Sequence, residues 1–365
     1  MARTLKEQLP WTLAPLVVNA PMGGFAGGAL AAAVTQAGGL GQIGAVMDMG
    51  ELERELKLAK EILSKSNDDS ARPSTLPIGV GLLPFILQLE HALPVLAKYQ
   101  PAVVWLFAAK ELDDYAVWTR QLRAALPDTS VWIQVGSASA ALRVAQAGTQ
   151  GADPSTSDPK AQPDALVLQG SDAGGHGFER GASIVALVPE TLDLLRSHSL
   201  GSMPILAAGG IADARGAAAA FALGASGVVL GTRFLAAHET MVPHPAYRES
   251  VLAARDGANN TVRSKLFDNV RGPNIWPEAY DGRSLVTQSY TDFVGGTGVD
   301  EVRRRHDEAA KARDKGFGGD GENGRANVWA GASVGLVNRT DDARDIVREV
   351  RDGVDEVLAE TRARL

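Results

Sequence analysis

Short apolar runs alternate along this chain with longer amphipathic stretches. Eight such runs, at 16–20, 40–45, 78–83, 103–107, 131–135, 165–168, 205–208 and 227–230, are apolar at consecutive positions rather than at every second one. That pattern suits strands covered on both faces, as in a parallel sheet wrapped by helices. The intervening segments have helical spacing. In ELERELKLAKEILSK, residues 51–65, the side chains of Leu52, Leu56, Ala59 and Leu63 fall on one face. Asp213 stands before ARGAAAAFALG as a helix N-cap, and Gly224 stands where that helix should end. A final helix over 341–362 carries Ile346, Val350, Val354 and Val357 at three- and four-residue spacing, fit to close the outer layer. About eight β/α units in this order predict an α/β fold, a TIM (β/α)8 barrel.

Two stretches break the rhythm. Residues 148–163, GTQGADPSTSDPKAQP, are polar and contain proline, which predicts a surface loop after the fifth strand. Residues 240–325 separate the eighth strand from the last helix and hold Trp276 and a charged helical piece. They predict an inserted cap over the barrel mouth. The expected organisation is a barrel of 10–239 and 326–365 with a substrate-shaping insertion at 240–325.

Composition narrows the function. Hydrophobic residues make up 45% and charged residues 22%, which excludes disordered and fibrous classes. The outlier is glycine, with 40 in 365 residues, about 11% against a usual value of about 7%. Many glycines stand in pairs beside apolar runs, as a site built from loops requires. Net charge is −7 with no basic tract, so nucleic acid is not an expected partner. Absence of cysteine excludes disulfides, thiolate metal sites and cysteine nucleophiles. No stretch has the length and apolarity of a membrane helix, and MARTLKEQLPWTL lacks the core of a signal peptide, so the expected location is cytoplasmic. The terminal Ala363, Arg364 and Leu365 form a loosened version of the Ser-Lys-Leu peroxisomal address, which would act only in a eukaryotic host.

Three glycine-rich segments carry candidate chemistry. ILAAGGI at 205–211 and GVVLGTRF at 227–234 are strands seven and eight running into turns. In such barrels the loops after these two strands commonly hold a phosphate through backbone N–H groups and a helix N-terminus. Gly209, Gly210 and Gly231 would allow close approach, and Thr232 could add a hydroxyl donor. The second segment is LQGSDAGGHG at 168–177, where glycines flank His176 and leave its imidazole unshielded at the end of the sixth strand. A histidine there suits a general base near neutral pH. The third, NAPMGGFAGG at 19–28, could lay the backbone of Pro21, Met22 and Gly23 against a ligand ring. Two matches fail on context. GASVG at 331–335 has no later histidine to complete a hydrolase triad. His238, Glu239 and His244 have the wrong spacing for a zinc protease, and Pro243 interrupts any helix there.

Together these segments, with WAGASVGL at 329–336 and TVRSKLFDNVRGPNIWP at 261–277, resemble the nitronate monooxygenase family of flavin mononucleotide (FMN) enzymes on TIM barrels. The resemblance covers most of the chain. It implies FMN contacts at Ala20, Met22, Gly23, Gln169, Gly174, Gly210, Leu230, Gly231 and Thr232, with Gln134 and Gly209 as further candidates. It also implies that His176 is catalytic and that no metal is needed. One departure is Gly81 in IGVGLLP, where many members carry an asparagine after the third strand. The implied reaction is oxidation of an alkyl nitronate, or of a nitroalkane after proton removal, by O2 to a carbonyl compound and nitrite. Related barrels share the flavin loops, so an FMN-dependent NAD(P)H reductase of enoyl-thioesters or quinones is an alternative. A flavin-free phosphate-binding lyase or isomerase is another.

Overall fold

A computed structural model describes residues 4–44, 47–65, 74–147, 158–318 and 324–365. In chain order the strands are β1 Val17–Asn19, β2 Gln42–Ile43, β3 Leu76–Leu82, β4 Pro101–Leu106, β5 Ser130–Val135, β6 Ala165–Gln169, β7 Gly175–Phe178, β8 Ile205–Ala208, β9 Gly227–Leu230, β10 Thr261–Ser264 and β11 Tyr280–Leu285. Eight of them form one parallel sheet in the order β1-β9-β8-β6-β5-β4-β3-β2. A parallel bridge between Val18 and Leu40 brings the two ends together, so the sheet is a nearly closed barrel. Each of the eight apolar runs supplies one of these strands.

Alternation along each strand builds two cores. On β5, Val131, Ile133 and Val135 face outward into the layer shared with the helices, while Trp132 faces the barrel interior. The interior layer also takes Val18, Leu40, Val103, Trp105, Val167, Leu206 and Val229. Its lower end is plugged by a helix, Leu5–Gln8, that the sequence pattern did not predict. Leu9 is fully buried there, and the Gln8 side chain accepts a hydrogen bond from the Trp132 indole at 3.0 Å.

The outer helices follow their sequence signals closely. The expected helix at 51–65 runs Met49–Ser64, with the Asp48 side chain accepting from the Gly50 N–H. Asp213 caps Ala214–Ala222 by accepting from Arg215 and Gly216, and Gly224 turns the chain at φ +102°. The last helix, Ala343–Arg364, buries Ile346, Val347, Val350 and Val354. It packs against the helices Ala214–Ala222 and Gly28–Gln36. No described helix is long and apolar enough to cross a membrane.

Of the loop expected at 148–163, residues 148–157 lie outside the described residues, and Pro159–Ala161 form a short 3-10 turn. Residues 319–323 of the 240–325 segment also lie outside them. The rest of that segment forms helices Pro245–Ala253, Gly257–Asn260, Leu266–Asn269, Gln288–Val294 and Val299–Ala309, with β10 and β11. These two strands pair antiparallel, and β11 pairs in turn with β7 of the barrel's own β6 loop.

One glycine shows how tightly the helices sit on the sheet. A Cβ on Gly41, just before β2, would lie 1.8 Å from the Ala31 carbonyl oxygen on the helix Gly28–Gln36. Gly41→Ala is therefore expected to lower stability by at least about 1–3 kcal/mol, the usual cost of overpacking a filled interior. Urea unfolding would show it as a lower midpoint at unchanged slope.

Candidate active site at the barrel mouth

The C-terminal ends of the strands surround a cavity of about 440 Å³. That size lies within the roughly 300–1,000 Å³ of small-molecule and cofactor sites. Its floor is the inner end of the barrel core, where the Trp105 indole donates to the Gln134 side chain at 3.1 Å. Aromatic side chains of Phe85, Phe107 and Trp276 form one wall.

Eleven of the twelve sequence-predicted site residues line this cavity. Ala20, Met22 and Gly23 follow β1, and the Ala20 N–H donates to the Leu230 carbonyl at 2.8 Å, tying the first and last strand ends together. Gln134 lies near the end of β5. Gln169 ends β6, and its amide donates to the His176 carbonyl at 3.0 Å. Gly174 precedes β7 and must be glycine, because a Cβ there would meet the Ala330 carbonyl carbon at 2.4 Å. Gly209 and Gly210 follow β8 at φ +102° and +76°, backbone that L side chains rarely adopt. Gly231 and Thr232 follow β9. Leu230 differs from these, since its side chain packs outward between strands and helices and only its carbonyl takes part. Gly81, the departure from the family pattern, sits on β3 and lines the cavity.

The phosphate expectation changes in one respect. The first N–H groups of the helix Ala214–Ala222 are already taken by Asp213, so that helix start has less to offer an anion. Among the described residues the N–H groups of Gly209 and Gly210 have no protein partner. The Thr232 hydroxyl oxygen accepts from the Gly331 N–H at 2.9 Å, leaving its own proton to donate. A glycine cradle with free N–H groups and one hydroxyl is therefore the set of donors at the mouth that could hold an anion.

His176 is also placed differently from the expectation that glycines leave it unshielded. Its side chain is only 14% exposed. The imidazole stacks on Trp276 with ring centres 3.7 Å apart and planes 9° from parallel, and leans on Trp329 at 4.8 Å. Its Nε2 lies 2.9 Å from Asp268 Oδ1. The two tryptophans and Asp268 were not singled out as site residues. In the sequence Trp276 reads only as part of the insertion and Trp329 only as part of WAGASVGL. Asp268 gives no local signal, standing as one acidic residue in LFDN.

The rejected motifs have other work in the fold. His238 pairs with Asp342 at 2.8 Å, Glu239 accepts from the Ala343 N–H at 2.9 Å, and His244 caps Pro245–Ala253. Among the described residues no group of three His, Asp or Glu side chains could hold a metal ion. Ser333 precedes a 3-10 turn, Val334–Leu336, rather than standing on a strand-to-helix elbow.

Charged groups near the mouth are held by burial and partners. The Tyr280 hydroxyl, near Tyr115, is pushed up to about 12 by burial. Burial also lowers the Arg283 guanidinium from its ordinary value, although Asp172 and Asp281 act against this.

A family profile described as nitronate monooxygenase matches residues 6–67 and 89–353. The chain is 44% identical over 369 residues to nitronate monooxygenase npaC of Metarhizium robertsii, covering 100% of this chain and 97% of that protein. It is 36% identical over 384 residues to nitronate monooxygenase of Neurospora crassa, covering 98% and 94%. Among solved structures, FabK from Thermotoga maritima matches with TM-score 0.73 at 24% identity over the whole of both chains. Nitroalkane oxidase from Streptomyces ansochromogenes matches at 0.67 and 21%, covering 95% of this chain and 98% of its own. These two likenesses concern the fold.

A test of the mouth's packing follows from the β7–β11 register, in which Gly282 stands opposite His176. A Cβ on Gly282 would lie 2.5 Å from the Trp329 ring. Gly282→Val should push Trp329 away from His176, seen as altered near-ultraviolet circular dichroism with the far-ultraviolet spectrum unchanged.

Proposed function

Because the chain belongs to the nitronate monooxygenase family, we propose that it binds FMN in the barrel mouth and oxidises alkyl nitronates, or nitroalkanes after proton loss, with O2 to a carbonyl compound and nitrite. The observation that carries this reading is the pairing, in one cavity, of a glycine cradle and an imidazole. Gly209 and Gly210 offer unpartnered N–H groups at positive φ, and His176 lines the same space.

These residues fit the cofactor. A phosphate needs several donors within close backbone approach, which Gly209, Gly210, Gly231 and Thr232 provide. Ala20, Met22 and Gly23 line the cavity beside them and suit a flat ring system. Gln134 and Gln169 each retain amide capacity beyond their internal hydrogen bonds. Bound FMN would supply the redox chemistry, taking electrons from the substrate and passing them to oxygen.

What the protein adds is placement and a proton acceptor. The Phe85, Phe107 and Trp276 wall gives the cavity that His176 lines an apolar face, which suits an alkyl chain. A nitroalkane must lose the proton on the carbon next to nitrogen before it becomes a nitronate, and the neutral imidazole of His176 accepts it. A preformed nitronate has already lost that proton. This difference separates the base from the rest of the site.

His176→Asn is expected to cut turnover of nitroethane by about 10²- to 10⁴-fold, the usual worth of a general base. FMN should stay bound, and preformed ethylnitronate should lose much less. Equal losses on both substrates with FMN retained would make His176 a binding group and not a base. The phosphate assignment has its own check at Gly231, where an added Cβ would meet nothing nearer than Ala20 at 3.7 Å and Met22 at 3.9 Å. Gly231→Asp should therefore fold normally by circular dichroism yet purify without flavin absorbance, because a carboxylate would face the phosphate.

A further inference from the structure

His176 is held by an arrangement that decides which of its two nitrogens can react. Its Nε2 faces Asp268 Oδ1 at 2.9 Å. An ionised carboxylate only accepts hydrogen bonds, so Nε2 must carry the proton of the neutral ring. The lone pair is then on Nδ1, which has no protein partner among the described residues and is not sealed off from the cavity.

Asp268 is itself firmly placed. Its side chain is 8% exposed, and its second oxygen, Oδ2, is buried without a partner. It stands on the short helix Leu266–Asn269, whose backbone is clamped from three sides. The Ser264 hydroxyl accepts from the Leu266 N–H at 3.1 Å, the Asn327 amide donates to the Phe267 carbonyl, and the Arg303 guanidinium donates to the Asn269 carbonyl at 2.8 and 3.1 Å. With the ring face stacked on Trp276, rotation of the imidazole would break both the stack and the hydrogen bond.

Other charges near His176 are already engaged or lie at the rim. Arg263 is paired with Asp281 across β10 and β11. Arg283 donates to the Ser171 carbonyl and the Thr261 hydroxyl and is drawn to Asp172. Lys265 pairs with Glu179 at 3.1 Å. Arg271 and Glu278 are exposed on the segment that leads to and from Trp276. Asp268 is thus the carboxylate in direct contact with the imidazole.

We propose that Asp268 is the positioning residue for His176, fixing the tautomer in which Nδ1 accepts the substrate proton. This rests on the reading of His176 as the base. In the step, the carbon–hydrogen bond next to the nitro group breaks and its electron pair stays with the substrate as the nitronate. The proton joins Nδ1, and the resulting imidazolium, protonated on both nitrogens, is paired with the Asp268 carboxylate.

The test compares FMN-loaded wild type, Asp268→Asn and His176→Asn on nitroethane and on preformed ethylnitronate. Asp268→Asn should lower kcat/KM for nitroethane by about 10- to 100-fold, part of the roughly 10²- to 10⁴-fold that a placed base supplies. Ethylnitronate should change by less than about threefold on the same argument, since no proton is removed from it. If His176→Asn separates the two substrates but Asp268→Asn keeps the wild-type rate on nitroethane, the Asp268 proposal falls and the base reading stands. If His176→Asn does not separate them, the base reading itself fails. A second measurement needs no variant at Asp268. Nitrogen-15 NMR of histidine-labelled wild type, with the His176 signals assigned by their loss in His176→Asn, should show neutral His176 protonated on Nε2. A proton on Nδ1 would overturn the proposal.

Discussion

The antiparallel pairing of β7 with β11 is the constraint on which this mouth depends. β7 is only four residues, Gly175–Phe178, and leaves the barrel where β6 ends. An isolated strand of that kind has little stability of its own, and it is held here because β10 and β11 of the 240–325 segment extend it into a three-stranded sheet. Side chains on a strand alternate between faces, so a slip of one residue would turn His176 away from Trp276 and Asp268. Gly282, opposite His176, leaves the space that Trp329 fills. The barrel therefore carries the histidine, but the later segment sets its surroundings.

The two halves of the cavity arise from different physics. The glycine cradle comes from the barrel itself, where parallel strands end together and the chain must turn back toward a helix. Gly209 and Gly210 line the cavity at positive φ, where a side chain would be strained. The aromatic and acidic surroundings of His176 come from residues about 90 to 150 positions further along the chain, Asp268, Trp276 and Trp329. The cradle is thus built by the barrel alone, whereas the surroundings of the imidazole are built by residues that follow the eighth barrel strand.

This division explains what was legible in the sequence. The eight barrel strands were visible because parallel strands buried on both faces read as continuous apolar runs. The cap at Asp213 and the final helix were visible because caps and three- and four-residue spacing are local signals. The plug helix Leu5–Gln8 was missed because four residues are too few to show a period. β7 was missed because GGHGF has no strand pattern and its partner lies about a hundred residues away. For the same reason the imidazole was expected to be open, while the structure covers it with Trp276. Asp268 could not be found at all by spacing, since its contact with His176 exists only after the segment folds back. Leu230 is named on resemblance alone, and in the structure its side chain packs outward while its carbonyl accepts from the Ala20 N–H.

Fold alone does not separate an oxygenase from a reductase on the same barrel. The most direct measurement is to mix the purified protein anaerobically with ethylnitronate and, separately, with NADH or NADPH, while recording the flavin absorbance. The flavin spectrum is expected to respond rapidly to ethylnitronate, to stay unchanged with either nicotinamide, and to return when air is admitted. Rapid bleaching by NADH or NADPH with no response to ethylnitronate would contradict it, as would a purified protein with no flavin absorbance at all.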